Sequence, residues 1–418
     1  MKQIELTITA LSPLAIGQRK PGGSVSEALD YIPGTMIRGA IAKEILNHAT
    51  SEPEEGDSFH KLFLDENAAV FRNGYSAIVS LGSDRYALSP DPVKVLPASA
   101  LSMKTESGFI TSDNAEKTGV FDSLIDSYCA REQGHFYTPN DVAGNLVDAF
   151  GGFYSKSEQG YVSHKVTKRL LTRVGINRKR ATAQDEILYS IEVMNDSQGK
   201  RQKISTEYRA SILLPDEQLA DELHTFLQQR CTQLRLGGSA SRGLGKIRLQ
   251  SVEPAAIPDS DIEKRIDRFN QQLQARWQLW SALGNGSNDR IDSRKFFTIT
   301  LKSDAILSEN WRRTIVISPA MLAPLLGLEA DDIQSHIVYS SYDYRSGWNA
   351  AWGLPKDTEL VTKMGSVMMF SVPVEKIEDC YSSLAELEQV GVGSRCSEGY
   401  GQVEVCDEFH LVMRENAV

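Results

Sequence analysis

Two glycine-rich segments lie far apart in the chain and share a pattern: Gly237-Gly238-Ser239-Ala240-Ser241-Arg242-Gly243-Leu244-Gly245 and Gly391-Val392-Gly393-Ser394-Arg395-Cys396-Ser397-Glu398-Gly399-Tyr400-Gly401. Glycines let a backbone approach a ligand closely, and adjacent amides form anion-binding concavities. In the first segment, Ser239, Ser241 and Arg242 add phosphate donors. A second feature is the run from His164 to Arg180, which holds Lys165, Lys168, Arg169, Arg173, Arg178, Lys179 and Arg180 and no acid. In a chain with 45 Lys plus Arg against 55 Asp plus Glu, formal net charge −10, such segregation is the footprint of a phosphate-backbone contact. The chemistry these residues can do together is binding of a sugar-phosphate chain. Tyr154, Tyr161 and Tyr189 lie nearby and could stack bases, although core positions are the plainer expectation for them.

Competing chemistries fare worse. A dinucleotide fingerprint must follow a strand and open a helix, and a Walker A loop needs Gly-Lys followed by Ser or Thr. Here the first loop follows a predicted helix and precedes a strand, and Gly245-Lys246 is followed by Ile247. ATP binding through either motif is therefore not expected. Asp30, just ahead of Tyr31-Ile32-Pro33-Gly34, is the candidate metal ligand or general acid/base for RNA cleavage. His135 and Tyr137 read as core or loop residues. The five cysteines, at 129, 231, 380, 396 and 406, form no CxxC pair, and the seven histidines form no HxH or HExxH group. The expectation is reduced thiols, no standard zinc site and no cofactor. The net charge excludes a generic polycation that coats nucleic acid. No apolar run approaches the roughly 18 residues of a membrane span. The alternating Met1 to Ile8 reads as a strand rather than a signal peptide, so the cytoplasm is the expected location.

The elements that would position these groups repeat. Ile4 to Leu11 alternates and opens a first half that closes on the first glycine-rich segment and the strand-like Lys246 to Val252. Phe296 to Leu301 opens a second half that closes on the second segment and Gln402 to Val405. Between them, Ile262, Ile266, Phe269, Leu273, Trp277, Trp280 and Leu283 recur at helical spacing, followed by the linker Gly284 to Asn288. This helix is expected to pack the halves together. Residues 37, 41 and 45 mark a helix after Pro33-Gly34, with Thr35 as its expected N-cap, and Asp216 to Leu234 reads as another. Glu52 to Asp57 and Leu101 to Thr118 read as excursions from the first core. The fold class is α+β, in a strand-helix-strands-helix-strand order that is ferredoxin-like.

The combination resembles a known family. Tyr31-Ile32-Pro33-Gly34-Thr35-Met36-Ile37-Arg38-Gly39-Ala40 is similar to the "IPGSSIKGA" element of the CRISPR-associated RAMP superfamily. Leu171 to Arg178, with Ala183, Leu188-Tyr189-Ser190 and Glu192, resembles its "R-x-G-I-D-R … A … L-Y-x-x-E" segment, with Asn177 in place of the usual acid. Gly243-Leu244-Gly245 and Gly399-Tyr400-Gly401 resemble its terminal loops. Ser346-Gly347-Trp348-Asn349, Gly353-Leu354-Pro355-Lys356 and Lys363-Met364-Gly365-Ser366-Val367 resemble the "GGW … LPK … AGSV" series of the large two-domain subunits of type III effector complexes, especially type III-D.

The resemblance implies two tandem ferredoxin-like, RRM-like domains with insertions and Gly-rich loops. They would span residues 1–253 and 291–418, joined by a linker with its amphipathic helix at 254–290. It implies a subunit that caps the 5′ handle of CRISPR RNA and contacts backbone RAMP subunits and the large polymerase-like subunit, away from any membrane. The implied RNA-binding set is Thr35, Arg38, Lys165, Lys168, Arg169, Arg173, Arg178, Lys179, Arg180, Gly238, Ser239, Ser241, Arg242, Gly243, Gly245, Trp348, Lys356, Gly393, Ser394, Arg395, Gly399, Tyr400 and Gly401. The acidic loop of target-cutting subunits is poorly matched, with only Glu27 and Asp30 available. A RAMP endoribonuclease using Asp30 is the alternative, and a scaffold in which both loops are only turns is a third reading.

Overall fold

The structure is a computed structural model and describes residues 1–18, 27–80, 85–110, 117–158, 160–177, 182–199, 203–258, 261–282, 289–349 and 353–418. The first half contributes β1 (Lys2–Ala10), α1 (Gly34–His48), β2 (Val70–Phe71), a long hairpin β3 (Lys168–Asn177) and β4 (Thr182–Met194), β5 (Glu207–Leu214), α2 (Glu217–Gln229) and β6 (Ile247–Ser251). Helix α3 (Ile262–Ser281) follows. The second half contributes β7 (Arg294–Leu301), the hairpin β8 (Leu307–Glu309) and β9 (Arg312–Thr314), α4 (Pro319–Leu326) and β10 (Gln334–Tyr339). It continues with β11 (Tyr342–Arg345), β12 (Glu359–Thr362), β13 (Val367–Pro373), α5 (Ile377–Val390) and β14 (Val403–Val405).

The architecture is mixed α and β with antiparallel sheets. The two main sheets run β6-β1-β5-β2 and β14-β7-β13-β10, so each places its fourth strand beside its first, then its third, then its second. In β1 the alternation does what a half-buried strand requires: Ile4, Leu6 and Ile8 are sealed under α1 and α2, while Glu5 and Thr7 turn the other way. Ile37 and Ile41 of α1 and Leu219, Leu223 and Leu227 of α2 complete that core.

Two sequence expectations about helix ends are corrected. Thr35 is not the N-cap of α1. Pro33 holds that position with no side-chain cap, and the Gly34 amide donates instead to Asn73 Oδ1 at 2.8 Å. An orphan amide at a helix start needs an acceptor, and here the loop after β2 supplies it. Helix α2 is shorter than Asp216 to Leu234: Asp216 caps it by accepting from the Leu219 amide at 2.9 Å, and beyond Gln229 the chain turns so that Leu234 and Leu236 enter the core.

Helix α3 has the expected periodicity from Ile262 to Trp280, and its apolar face joins the second core; Leu283 and the linker Gly284 to Asn288 lie outside the described residues. That core also takes Leu124, Ile125 and Tyr128 from helix Leu124–Glu132, which belongs by sequence to the first half. Arg276 of α3 grips the buried Asp126 through two bonds of 2.7 Å, and the Trp280 indole donates to the same carboxylate at 2.8 Å. The halves are thus tied by a first-half helix held between α3 and the second sheet. Phe296 and Phe297 are both buried because β7 is covered on both faces.

Candidate nucleic-acid interface

The first glycine-rich loop is held from below and open above. Pro13, Leu14 and Ala15 form a strap beneath it: the Gly238 amide donates to Ala15 O and the Gly245 amide to Pro13 O, both at 2.9 Å. A Cβ on Gly237 would lie 2.6 Å from Ala15 O, and one on Gly245 would clash with Leu236 O. These two glycines are required by the turn itself. Between them the chain passes through left-handed Ser239 (φ 58), a short 3-10 turn Ala240–Arg242 and left-handed Gly243 (φ 84), whose missing Cβ faces open space. Gly238, Ser241, Arg242 and Gly243 are exposed.

The same strap anchors the β3–β4 hairpin, since Leu14 exchanges backbone bonds of 3.0 and 2.9 Å with Met194. Leu171 and Ile191 of the hairpin then pack with Ala15, Val193 and the loop's Leu244. Period-two alternation puts Arg169, Leu171 and Arg173 on that side. Tyr189 pairs in register with Arg173, and the Arg242 guanidinium of the loop lies over its ring, 5.4 Å from the centroid. Two features separated by more than forty residues in sequence therefore form one surface. Arg173 and Lys165 are exposed and make no ion pair with any described residue. Lys168 pairs with Asp30 at 2.8 Å and Arg169 with Asp196 at 3.5 Å. Arg178, Lys179 and Arg180 lie outside the described residues, as does the Trp348 side chain.

The second glycine-rich loop has nearly the same backbone: left-handed Arg395 (φ 60), the 3-10 turn Cys396–Glu398 and left-handed Gly399 (φ 93). Its surroundings are the reverse. It is pressed onto the start of α1 and the end of β2, where a Cβ on Gly399 would lie 2.6 Å from Phe71 O and 3.2 Å from the Gly34 Cα. Glu398 accepts from Thr35 Oγ1 at 2.8 Å, from Arg395 at 2.7 Å and from Lys356 at 3.1 Å. Burial pushes its carboxyl up, but the bonds and charge of Arg395, with Lys356 and Thr35, outweigh this and hold it at about 2. Arg395 also covers Tyr400 at 5.2 Å from its ring centroid. A Cβ on Gly393 would lie 2.5 Å from Ile306 O, and one on Gly401 would clash with Val392 O. The Ser394 amide donates to Ile306 O at 2.9 Å. Arg38 is likewise engaged, donating to Phe63 O and lying 5.5 Å from the centre of the Phe63 ring.

A cleft of about 490 Å³ has walls from both halves. Asp30, Tyr31 and Lys168 face Arg345, Lys363 and Asp304, with Phe150 and Phe153 beside them. Asp304 is buried, accepting from Arg345 Nε at 2.6 Å, the Met364 amide at 3.0 Å and the Tyr31 hydroxyl at 3.2 Å. Burial first, then the Asp304 charge, pushes the Tyr31 phenol well up, so it acts as a donor. Sequence reasoning missed Asp304, Arg345 and Glu398. Asp304 is a single charge in an unremarkable stretch, Arg345 directly precedes a quoted motif and Glu398 lies within the second glycine-rich segment, yet only the fold makes them neighbours of the Tyr31 segment. Asp30 has Lys168 as its near partner, and no cluster of three metal-ligating side chains occurs among the described residues. Among those residues no helix is long and apolar enough to cross a membrane.

A sequence comparison with curated proteins finds no match. Among solved structures, a chain of the type III-B Cmr-β complex bound to cognate target RNA is similar at 10% identity, covering 96% of each chain, with a TM-score of 0.42. A chain of the same complex with target RNA and AMPPnP is similar at 11% identity over 87% of this chain and 86% of that one, TM-score 0.38. A chain of a type IV-B CRISPR complex is similar at 13% identity over 62% and 95%, TM-score 0.26. The family model of the RAMP superfamily matches residues 7–248, more than half of the chain, which accordingly belongs to the RAMP superfamily.

Proposed function

We propose that this RAMP-superfamily chain is a guide-RNA-binding subunit of a type III CRISPR effector ribonucleoprotein in the cytoplasm. It caps the 5′ handle of CRISPR RNA and contacts backbone RAMP subunits and the large polymerase-like subunit, with type III-D the complex it fits. The reading takes residues 1–253 and 291–418 as two ferredoxin-like, RRM-like domains joined through 254–290. The shared strand order of the two main sheets supports that division.

One observation carries the RNA assignment: the open glycine-rich loop and the basic hairpin share a strap and meet at Arg242, Tyr189 and Arg173. Hydroxyl and guanidinium groups beside an aromatic ring on one surface are what a single-stranded sugar-phosphate chain needs. The adjoining cleft adds cations and aromatic walls for a splayed base. Thr35, Lys356, Arg395, Gly399 and Tyr400 support the interface by holding the two halves in place, and RNA contact is assigned first to the loop and the hairpin.

The test is binding of the full chain to a repeat RNA carrying the 5′ handle against a scrambled RNA of equal length, with and without magnesium. Handle-selective binding of intact RNA is expected. Equal binding of both RNAs would overturn the capping role. Cleavage that is lost in Asp30→Ala would replace it with the endoribonuclease reading.

A further inference from the structure

Trp311 stands at the tip of the β8–β9 hairpin and is 103% exposed, as open as the residue can be. The turn has two residues, Asn310 and Trp311, with φ of 48 and 63, the positive values that the tight turns of two-residue hairpins demand. Asn suits the first position, and glycine is the residue expected at the second. A tryptophan there exposes its whole ring and accepts a left-handed backbone that a bulky side chain disfavours. Neither folding nor solubility accounts for it.

The hairpin is firm at its base. Leu307 is buried, Ile306 O accepts from the Ser394 amide at 2.9 Å, and Asp304, three residues earlier, is the buried acid of the cleft. Trp311 lies seven residues from Asp304, a reach of at most about 25 Å. The tip is polar and basic. Arg312 and Arg313 follow the ring and are exposed; Arg313 touches Glu359 at 2.5 Å, while the one acid of the hairpin, Glu309, is taken by Ser318 at 2.6 Å. Arg312 makes no ion pair with any described residue. A protein hot spot is ringed by packed contacts that exclude water. Here an isolated ring is set among guanidinium groups, the composition of a stacking platform for single-stranded nucleic acid.

We propose that Trp311 stacks on an unpaired base of the bound RNA, with Arg312 on a flanking phosphate. This rests on the RNA-binding reading and adds a contact site in the second half, on an element separate from the first glycine-rich loop and the β3–β4 hairpin. Stabilisation by stacking is sequence-tolerant, so the site would grip the strand without reading it.

The experiment titrates the full chain with the handle-bearing repeat RNA, following tryptophan fluorescence and affinity in wild type, Trp311→Phe, Trp311→Ala and Trp311→Gly. Wild type is expected to be quenched, and Trp311→Ala to bind about tenfold more weakly. Trp311→Phe should keep most of the affinity. Trp311→Gly should lose affinity like alanine while melting at a higher temperature than wild type, because glycine relieves the left-handed backbone. If wild type binds and Trp311→Ala matches it within about twofold, the stacking site is wrong and the RNA reading stands. The same result with weakened capture of another effector subunit would make the tip a protein contact, which also overturns the proposal. If wild type binds no RNA, both readings fall.

Discussion

The two glycine-rich loops share one backbone course and face opposite fates. Ser239 and Arg395 are both left-handed, a 3-10 turn follows each, and Gly243 and Gly399 close them at φ 84 and 93. Around Gly243 there is open space; around Gly399 stand Phe71 O, Asn73 and Gly34. The two sequences therefore give one backbone shape, and the surroundings determine whether that shape seals an interface or stays open.

The largest expected effect comes from adding one carbon at the matched positions. Gly399→Ala places a Cβ 2.6 Å from a backbone oxygen that cannot move aside, on top of the left-handed strain. Overpacking and strain together should destabilise by about 3 kcal/mol or more. Gly243→Ala meets only the strain, about 1–2 kcal/mol. Urea denaturation of both variants reads the gap directly. Equal losses would mean that the second loop does not dock as described, and the comparison would fail.

This contrast also separates what the sequence makes legible from what it does not. The alternation of Ile4, Leu6 and Ile8 and the spacing of Ile37 and Ile41 are local, so β1 and α1 could be read directly. The glycines of both loops were visible in the sequence, but the left-handed turns at Ser239 and Arg395, residues that rarely adopt positive φ, were not. Docking is not local. Gly399 meets Gly34 across more than three hundred residues, and helix Leu124–Glu132 leaves its own half to join α3. Thr35 illustrates the cost of reasoning locally: a hydroxyl beside a helix start reads as a cap, yet it serves Glu398. The basic run was visible as charge, but its partnership with Arg242 needed the strap at Pro13–Ala15 to bring both to one place.

A smaller effect should sharpen the docked side. Glu398 is held at about 2, below the ordinary glutamate value of 4.5, so the folded state favours its charged form. A depressed carboxylate contributes stability that is complete above the unfolded value and is lost as pH falls through the folded one. Glu398→Gln should therefore melt below wild type at neutral pH, with the difference closing as pH drops from about 4.5 toward about 2. A difference that stays constant over this range would show that Glu398 acts by shape alone and that its charge does not fasten the loop.

The smallest effect in stability is expected on the open side, where it should surface in binding instead. Arg242→Ala removes an exposed guanidinium–ring contact worth about 0.5–1 kcal/mol, and Arg173 has no ion pair to lose. The double variant should fold nearly as well as wild type. If both side chains meet phosphates, each removes about 0.7 from the slope of log affinity against log salt for a single strand. A fall of about 1.4 in the double variant, with little change in its melting temperature, would place RNA on the loop and hairpin together. An unchanged slope would leave the open loop a turn like its docked counterpart, and would move the search for RNA to the cleft beneath Tyr31 and the tip at Trp311.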